Sequence, residues 1–286
     1  MTGHTAVAVK GFEIELVAAV ARKELRDAVR ARWFWLYALG FAGLAALLAT
    51  IALPRGIAGS VGFGRTTASL VALVQLVLPL IALTLGAQSI AGQAERGTLR
   101  FLLSHPVTRS EVFVGTYLGL TGALVALCGL GFGVAGLVAA ARNAGIDAGA
   151  YMRIAVLSLL LAIAMLGLGM LISTWASKGS TSLGAAVFLW LGLVFLGELG
   201  IMGTAVATRL PVDLLFFSAV ANPVEAFRVA SLSALSGSLD VLGPAGTYAV
   251  DTYGESLDAL LLGALVAWAV VPAALAWRRF VKRRDI

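Results

Sequence analysis

The side chains that most often perform catalysis or bind metals are few in this sequence and widely separated. The chain has two histidines, His4 and His105, and a single cysteine, Cys128, which lies inside an apolar run. None of them belongs to an H-E-x-x-H, G-x-S-x-G or C-x-x-C arrangement. The sequence therefore predicts a non-catalytic protein that builds no metal site of its own.

Two glycine-containing stretches have the glycine spacing of a phosphate-binding loop. Residues 92–98 and 179–184 each place two glycines five positions apart. Neither stretch carries the lysine that contacts the phosphates, and neither lies between a strand and a helix. We expect no cofactor on this chain. If ATP drives the protein, ATP and Mg²⁺ are expected on a separate subunit.

The segment 92–111 combines basic, apolar and helix-terminating residues over a short distance. Arg96 and Arg100 give a short helix a basic face, and Pro106 ends that helix. The apolar face is formed by three leucines, Leu99, Leu102 and Leu103. Such an amphipathic helix, held between two apolar segments, can lie on lipid or dock into a groove of a partner protein.

One ionisable residue, Glu198, stands inside a long apolar run. A charge in the middle of a bilayer costs about 2.5–3.5 kcal/mol on insertion scales, so an intramembrane carboxylate is a functional candidate. Three other interpretations stay open: the side chain reaches outward, faces a water-filled vestibule, or is protonated.

A helix start is predicted at the sequence Asn222-Pro223-Val224-Glu225. Asn222 can cap the helix, Pro223 fits its first turn, and Glu225 can reach back to a free backbone amide. The preceding apolar stretch, 214–217, is too short to cross a membrane. It can enter the bilayer as a re-entrant turn or pack on the outer ends of the spans.

The composition places these segments in a membrane. Hydrophobic residues make up 60% of the 286 residues, charged residues 13%, and the mean hydropathy is +0.95. Soluble domains carry about 25% charged residues, so this chain has too little polar surface to face water throughout. We predict an all-α integral membrane protein in which residues 1–286 form one membrane domain.

Six spans are predicted from runs of about 20 apolar residues. They are 33–53, 67–91, 112–141, 154–175, 183–207 and 257–277. Of the 21 lysines and arginines, 15 fall in the segments 1–32, 92–111, 176–182 and 278–286. The positive-inside rule places these segments, and hence both termini, in the cytoplasm. The long loop 208–256 is then extracytoplasmic, and the net charge of +6 reflects topology rather than binding to nucleic acid.

Residues 10–32 are typical of an amphipathic helix on the inner membrane face. Apolar side chains recur at spacings of three and four, namely Ile14, Val17, Ala21, Leu25 and Val29. A solvated helix that packs on a partner protein is the alternative. The first 32 residues do not resemble a cleavable signal peptide.

Small residues follow one face of the third predicted span with a period near 3.5. They are Gly115, Gly119, Gly122, Ala126, Gly129, Gly133, Gly136 and Ala140. Because lipid gives helices no hydrophobic reason to associate, small residues that permit close backbone approach are favoured at helix contacts. We expect this face to be buried against another helix, as a fixed contact or a moving one.

The segment around Glu95 resembles the coupling region of ABC-2 type permeases. The resemblance rests on Glu95-Arg96-Gly97-Thr98-Leu99, an apolar stretch, and Pro106-Val107-Thr108-Arg109, with residues 22–27 resembling the family's entry helix. It implies that a cytoplasmic helix receives force from an ATPase. The residues expected to contact that ATPase are Glu95, Arg96, Gly97, Thr98, Leu99, Leu102, Leu103 and Lys178. Gln93 and Arg100 depart from the acidic residues common in the family.

Within that family the chain is most similar to permeases of the transporters that mature nitrous oxide reductase. The similar stretches are 61–63, 78–83, 222–223, 227–228 and 268–272, together with the segment above. The resemblance implies a homodimer in the bacterial inner membrane, two cytoplasmic ATPase copies, an extracytoplasmic β-helical partner, and delivery or insertion of a copper–sulfur centre. The outer partner is expected to dock on Asn222, Pro223, Glu225, Phe227 and Arg228.

Two other functions fit most of these features. An ABC-2 exporter of a drug, lipid or peptide shares everything except the matches in the outer loop and near the C-terminus. A membrane scaffold without transport would show no dependence on nucleotide.

Overall fold

Helices make up almost all of the structure, a computed structural model that describes residues 13–51, 60–141, 147–206, 217, 220–236 and 251–282. In chain order the helices of these ranges are α1 Ile14–Arg30, α2 Arg32–Ile51, α3 Ser60–Glu95, α4 Thr98–Leu103, α5 Arg109–Ala141, α6 Ala148–Trp175, α7 Gly179–Val206, α8 Pro223–Ser236 and α9 Leu257–Lys282. A short 3-10 turn, Gly254–Ser256, precedes α9. The predicted all-α class is confirmed.

Four helical segments of the described chain are each long and apolar enough to cross a membrane. They are Ser69–Glu95 within α3, and the whole of α5, α6 and α9. α1 and α2 meet the same criteria only as a pair, bent by 67°. The stretch of α7 whose side chains the structure describes, Gly179–Phe195, is apolar but shorter than a span. The described residues thus hold four such helices, or five with the bent pair. The count of six spans stays a prediction.

The bend between α1 and α2 lies at Ala31, whose backbone is extended (φ −69°, ψ 135°). One face of α1 is buried, because it packs along the first half of α5. The buried face consists of Val17, Val20, Glu24 and Ala28. Ile14, expected on the apolar face, is 77% exposed. The helix was expected on the membrane surface, and the structure gives it an internal partner.

The small-residue face of α5 provides the groove for α1. A β-carbon added at Gly115 would lie 2.6 Å from Cβ of Val20, and one at Gly119 would lie 2.6 Å from the backbone oxygen of Ala21. Further along, Gly129 has no described atom within 4 Å of such a carbon. The face is therefore a close helix contact in its first half.

The tightest backbone contact described in the bundle joins α3 to α6. A β-carbon on Gly86 would lie 2.7 Å from the Met170 nitrogen, and one on Gly169 would lie 3.0 Å from the Ala87 nitrogen. Beside this contact, the Ser173 hydroxyl donates to the Ala87 carbonyl at 2.7 Å and accepts from the Ala91 amide at 2.8 Å. Glycine permits the approach, and the hydroxyl satisfies backbone groups that meet no water inside a membrane.

The helix ends gather into two groups. The basic end, as we call it, holds the end of α3, α4, the start of α5, the end of α6, the start of α7 and the end of α9, which contact one another through pairs such as Glu95–Gly179, Ser110–Trp277 and Trp175–Arg279. The opposite end holds the starts of α6 and α9, where Arg153 and Asp258 form an ion pair of 2.7 Å. α8 ends there too, since Ser233 donates a hydrogen bond of 3.0 Å to Asp258.

We expect Gly86→Ala to destabilise the protein by about 1–3 kcal/mol, the usual cost of forcing an atom into a filled contact. The added methyl group would overlap the backbone of α6, which cannot rotate away. Gly129→Ala is the matched control, because the same methyl group meets open space there. Thermal unfolding of both variants in detergent measures the difference. Equal unfolding temperatures would contradict this description of the contact.

Candidate functional site

The connection from α3 to α4 is a tight turn that requires glycine. Gly97 has a φ of 74°, in the left-handed region that side chains with a β-carbon disfavour. Its amide donates to the Ala94 carbonyl at 3.1 Å, and the Thr98 hydroxyl donates to the Gln93 carbonyl, also at 3.1 Å. The end of α3 therefore fixes the direction in which α4 leaves it.

The leucine face of α4 packs against the chain itself. Leu99 is only 1% exposed, and Leu102 and Leu103 pack against the same core. Leu102 and Leu103 are half-buried, and the predicted contact of the three leucines with an ATPase stays a prediction. A helix between α3 and α5 places its apolar face on the bundle, so the leucines anchor it there.

The exposed face of α4 carries an aromatic residue that the sequence analysis missed. Phe101 is 71% exposed, and its ring meets that of His105 edge to face with centroids 5.0 Å apart. His105 Nδ1 also lies 3.0 Å from the Phe101 carbonyl. Arg100 is exposed beside it. The spacing of the leucines could have predicted this exposure, because leucines at 99, 102 and 103 of a short helix place residue 101 on the opposite face.

Glu95 ties the end of α3 to the start of α7. Its Oε2 accepts a hydrogen bond of 2.9 Å from the Gly179 amide, and Gln88 Nε2 donates to the Gly179 carbonyl at 3.1 Å. A carboxylate at a helix N-terminus is favoured by the helix dipole, by about 0.3–1 kcal/mol at an exposed site. Lys178 precedes Gly179 and is exposed. The structure therefore brings Glu95 and Lys178 to the same end of the bundle.

The start of α5 is fixed by Glu111, which is 1% exposed. Its carboxylate accepts from the Thr108 amide at 2.7 Å and from the Glu13 amide, just before α1, at 2.8 Å. The Thr108 hydroxyl accepts from the Glu111 amide at 3.3 Å, which completes a capping box. The loop after α4 is thus held to both α5 and α1.

Gln93 links α3 to α1 through a buried carboxylate. Gln93 Nε2 donates to Glu24 Oε1 at 3.1 Å, and Lys23 Nζ lies 2.9 Å from the same oxygen. Glu24 is only 7% exposed. Gln93 was noted as a departure from the family pattern, and here its amide supplies a donor that an acidic residue would lack. α4 accordingly starts from a helix end held by both α1 and α7.

The predicted helix start at Asn222 is confirmed. Asn222 Oδ1 accepts from the Val224 amide at 3.0 Å, and its Nδ2 donates to the Leu193 carbonyl of α7 at 2.7 Å. Glu225 and Phe227 were expected to meet an outer partner. They are 4% and 0% exposed, because α8 packs among α3, α6, α7 and α9.

Burial also limits the other residues predicted for outer docking. Pro223 is buried and Asn222 is half-buried, while the Arg228 side chain is 25% exposed and lies 3.9 Å from Glu225. These side chains of α8 therefore face the bundle in this structure, and docking of an outer partner on them stays a prediction. The remainder of the outer loop, 208–216, 218–219 and 237–250, lies outside the described residues.

Two further features expected from the sequence are the intramembrane Glu198 and the absence of a metal site. The side chain of Glu198 is outside the described part of the chain, so its predicted role is not tested. In the part that is described, no group of three or more His, Cys, Asp and Glu side chains is placed to hold a metal ion. Cys128 is buried in the core.

Comparison with known proteins gives one family and two named relatives. A family model described as "ABC-2 family transporter protein" matches residues 18–285. A protein of Pseudomonas aeruginosa named "Probable ABC transporter permease protein NosY" is 36% identical over 278 residues, covering 94% of this chain and 98% of that protein. A protein of the same name from Stutzerimonas stutzeri is 33% identical over 275 residues, covering 92% and 97%.

Leu99→Asp is expected to destabilise the protein by about 2–5 kcal/mol, since it removes a buried leucine and places a carboxylate in the core. Phe101→Asp is the matched control on the same helix. Its effect on stability is expected to stay within about 0.5 kcal/mol, because that side chain is exposed. Thermal unfolding in detergent tests the pair. An equal loss in both variants would mean that α4 is oriented differently.

Proposed function

Because the chain belongs to the ABC-2 family of transporter membrane proteins and is a permease subunit, we propose that it couples a separate cytoplasmic ATPase to delivery or insertion of the copper–sulfur centre of nitrous oxide reductase. Two relatives that share more than 90% of the chain's length and bear the name NosY support this reading. The resemblance to permeases of nitrous oxide reductase maturation supports it from the sequence.

The proposed assembly is a homodimer of this chain with two copies of the ATPase and an extracytoplasmic β-helical protein. ATP and Mg²⁺ are bound and ATP is hydrolysed on the ATPase subunits. The assembly lies in the bacterial inner membrane with both termini of this chain in the cytoplasm, since most lysines and arginines flank the spans on that side. The basic end is then the cytoplasmic end.

The observation that carries the coupling role is the exposed Phe101 on an anchored helix. Leu99 holds α4 to the bundle, while the Phe101 ring stands away from it. An aromatic side chain that enters a partner's apolar pocket is the kind of residue that dominates an interface, often by 2 kcal/mol or more. A force applied to Phe101 reaches α3 and α5, the helices of 36 and 33 residues on either side of α4.

Charge on the same surface favours an acidic partner. Arg96, Arg100 and Lys178 are exposed at the basic end. Charges at the rim of an interface guide association and fix orientation more than they add affinity. We therefore place the apolar contact at Phe101 and the orienting contacts at the three cations, and we expect carboxylates on the facing surface of the ATPase. Glu95 lies at the same end, where its Oε2 accepts from the Gly179 amide and its side chain remains exposed.

Phe101→Asp should weaken binding of the ATPase by about 30-fold or more, equivalent to about 2 kcal/mol. The protein itself should remain folded, since the side chain is exposed. Phe101→Leu keeps an apolar contact and should retain most of the affinity. Titration of the purified ATPase onto the permease in nanodiscs measures the three affinities. If Phe101→Asp binds as tightly as the unaltered chain, the coupling surface lies elsewhere.

Loss of this chain should leave nitrous oxide reductase without its copper–sulfur centre. We expect the enzyme purified from a deletion strain to lack the optical signature of that centre, and the plasmid-borne gene to restore it. Phe101→Asp should fail to restore it, whereas Phe101→Leu should succeed. An enzyme with a full copper–sulfur centre in the deletion strain would favour the exporter of another substrate.

A further inference from the structure

A buried carboxylate lies where α3, α7 and α8 meet. Glu225, in the first turn of α8, is 4% exposed, and Gln75 of α3 is 7% exposed. Gln75 Nε2 donates a hydrogen bond of 3.3 Å to Glu225 Oε1. The other carboxylate oxygen, Oε2, lies 3.9 Å from Arg228 Nη1 one turn further along α8. Amide, carboxylate and guanidinium therefore form one polar junction inside the bundle.

α7 leaves space for this carboxylate. A β-carbon on Gly197 would lie 2.8 Å from Cδ of Glu225, so the carboxyl group occupies the volume that a side chain there would fill. α8 is tied to α7 a second time, through Asn222 Nδ2 and the Leu193 carbonyl.

The junction is far from the basic end. Gln75 lies roughly 20 residues, or about 30 Å, before the end of α3 at Glu95, and Leu193 lies about 21 Å from the start of α7. The hydrocarbon core of a bilayer is about 30 Å thick. α8 continues from this depth toward the opposite end, where Ser233 meets Asp258. It is therefore a helix that starts within the bundle and ends near its outer surface.

α3 connects this junction to α4 without a break. The helix runs from Gln75 to Glu95, and only the Gly97 turn separates it from α4. Pro79 has no amide hydrogen, so the Gln75 carbonyl lacks its usual partner within the helix, and α3 can bend at this point. Pro79, where α3 can bend, therefore lies between Gln75 and the part of α3 that leads to α4.

We infer that Gln75 and Glu225 are positioning residues, whose hydrogen bond transmits a displacement of α4, carried by α3, to α8 at the opposite end. This inference rests on the proposed coupling to an ATPase. The bond between an amide on α3 and a carboxylate on α8 makes the two helices move together, whereas apolar contacts alone would let them slide. α8 is in turn tied to α9 through Asp258, so its displacement reaches the outer surface.

The test measures nucleotide-dependent movement of α8 and needs no knowledge of the substrate. A single cysteine replaces the half-buried Ala234 near the end of α8, in a Cys128→Ala background. The complex with its ATPase is placed in nanodiscs, and the rate of maleimide labelling is compared with and without ATP, Mg²⁺ and vanadate. ATP hydrolysis by the same samples is recorded in parallel.

Gln75→Met removes the hydrogen bond while keeping the length of the side chain. We expect ATP hydrolysis to persist and the nucleotide-dependent change in labelling to fall by at least about 5-fold, the lower range of typical coupling between sites. If the Gln75→Met protein does not fold, Gln75→Leu is used in its place. Thr84→Val is the matched control on α3, because its hydroxyl bonds only within the helix, to the Ile81 carbonyl at 2.9 Å.

The exchange Gln75→Glu with Glu225→Gln restores an amide–carboxylate bond with its ends reversed and should recover the nucleotide-dependent change. Full movement of α8 in Gln75→Met would overturn the inference. Loss of movement in both Gln75→Met and the exchanged pair would also overturn it, because side-chain packing and not the bond would then be responsible. If the unaltered complex shows no nucleotide-dependent movement, the proposed ATPase coupling fails, and the inference fails with it.

Discussion

The contact between Gly86 and Gly169 determines how α3 is held, and α3 carries most of the features described above. Inside a membrane, helices gain nothing by hiding apolar surface from lipid, so they associate where their backbones can approach closely. The two glycines let α3 and α6 touch, and the Ser173 hydroxyl bonds to the buried backbone of α3 beside them. From this fixed point α3 extends to α4 in one direction and to Gln75 in the other.

The short helix α4 combines an internal anchor with an exposed aromatic side chain. Leu99 secures it to the core, the Gly97 turn and the Thr108–Glu111 capping box fix its two ends, and Phe101 stands exposed. A loosely tethered helix would absorb a displacement by changing its own orientation. Because α4 is held at both ends and along one face, the displacement passes to the long helices. This rigidity suits the proposed contact of α4 with an ATPase.

Several parts of this arrangement were accessible from the sequence. Hydropathy predicted the helices, the proline and asparagine predicted the start of α8, and glycine spacing predicted close packing of α5. These features depend on local patterns of one segment. The contacts between faces depend on distant segments and were not predicted, as for the packing of α1 on α5 and of the α4 leucines on the core.

Glu225 illustrates the same limit at the opposite end of the molecule. A glutamate three residues after an asparagine cap is typical of an exposed helix start, and nothing local indicates that it is buried. Its environment is set by Gln75 and Gly197, which are respectively 150 and about 28 positions away in sequence. A buried carboxylate within membrane depth is a more informative feature than a capping residue. Only the packing of α8 among four helices reveals it.

The central claim is that the exposed face of α4 receives the ATPase. The most direct test places a photo-crosslinking amino acid, benzoylphenylalanine, at position 101 of the chain in its native membrane and identifies the crosslinked product by mass spectrometry. The same residue at position 118, an exposed leucine on the part of α5 beyond the basic end, serves as the control. The account predicts an ATPase crosslinked at 101 and not at 118. Crosslinks from 101 to lipid alone, in samples where the ATPase co-purifies, would contradict it.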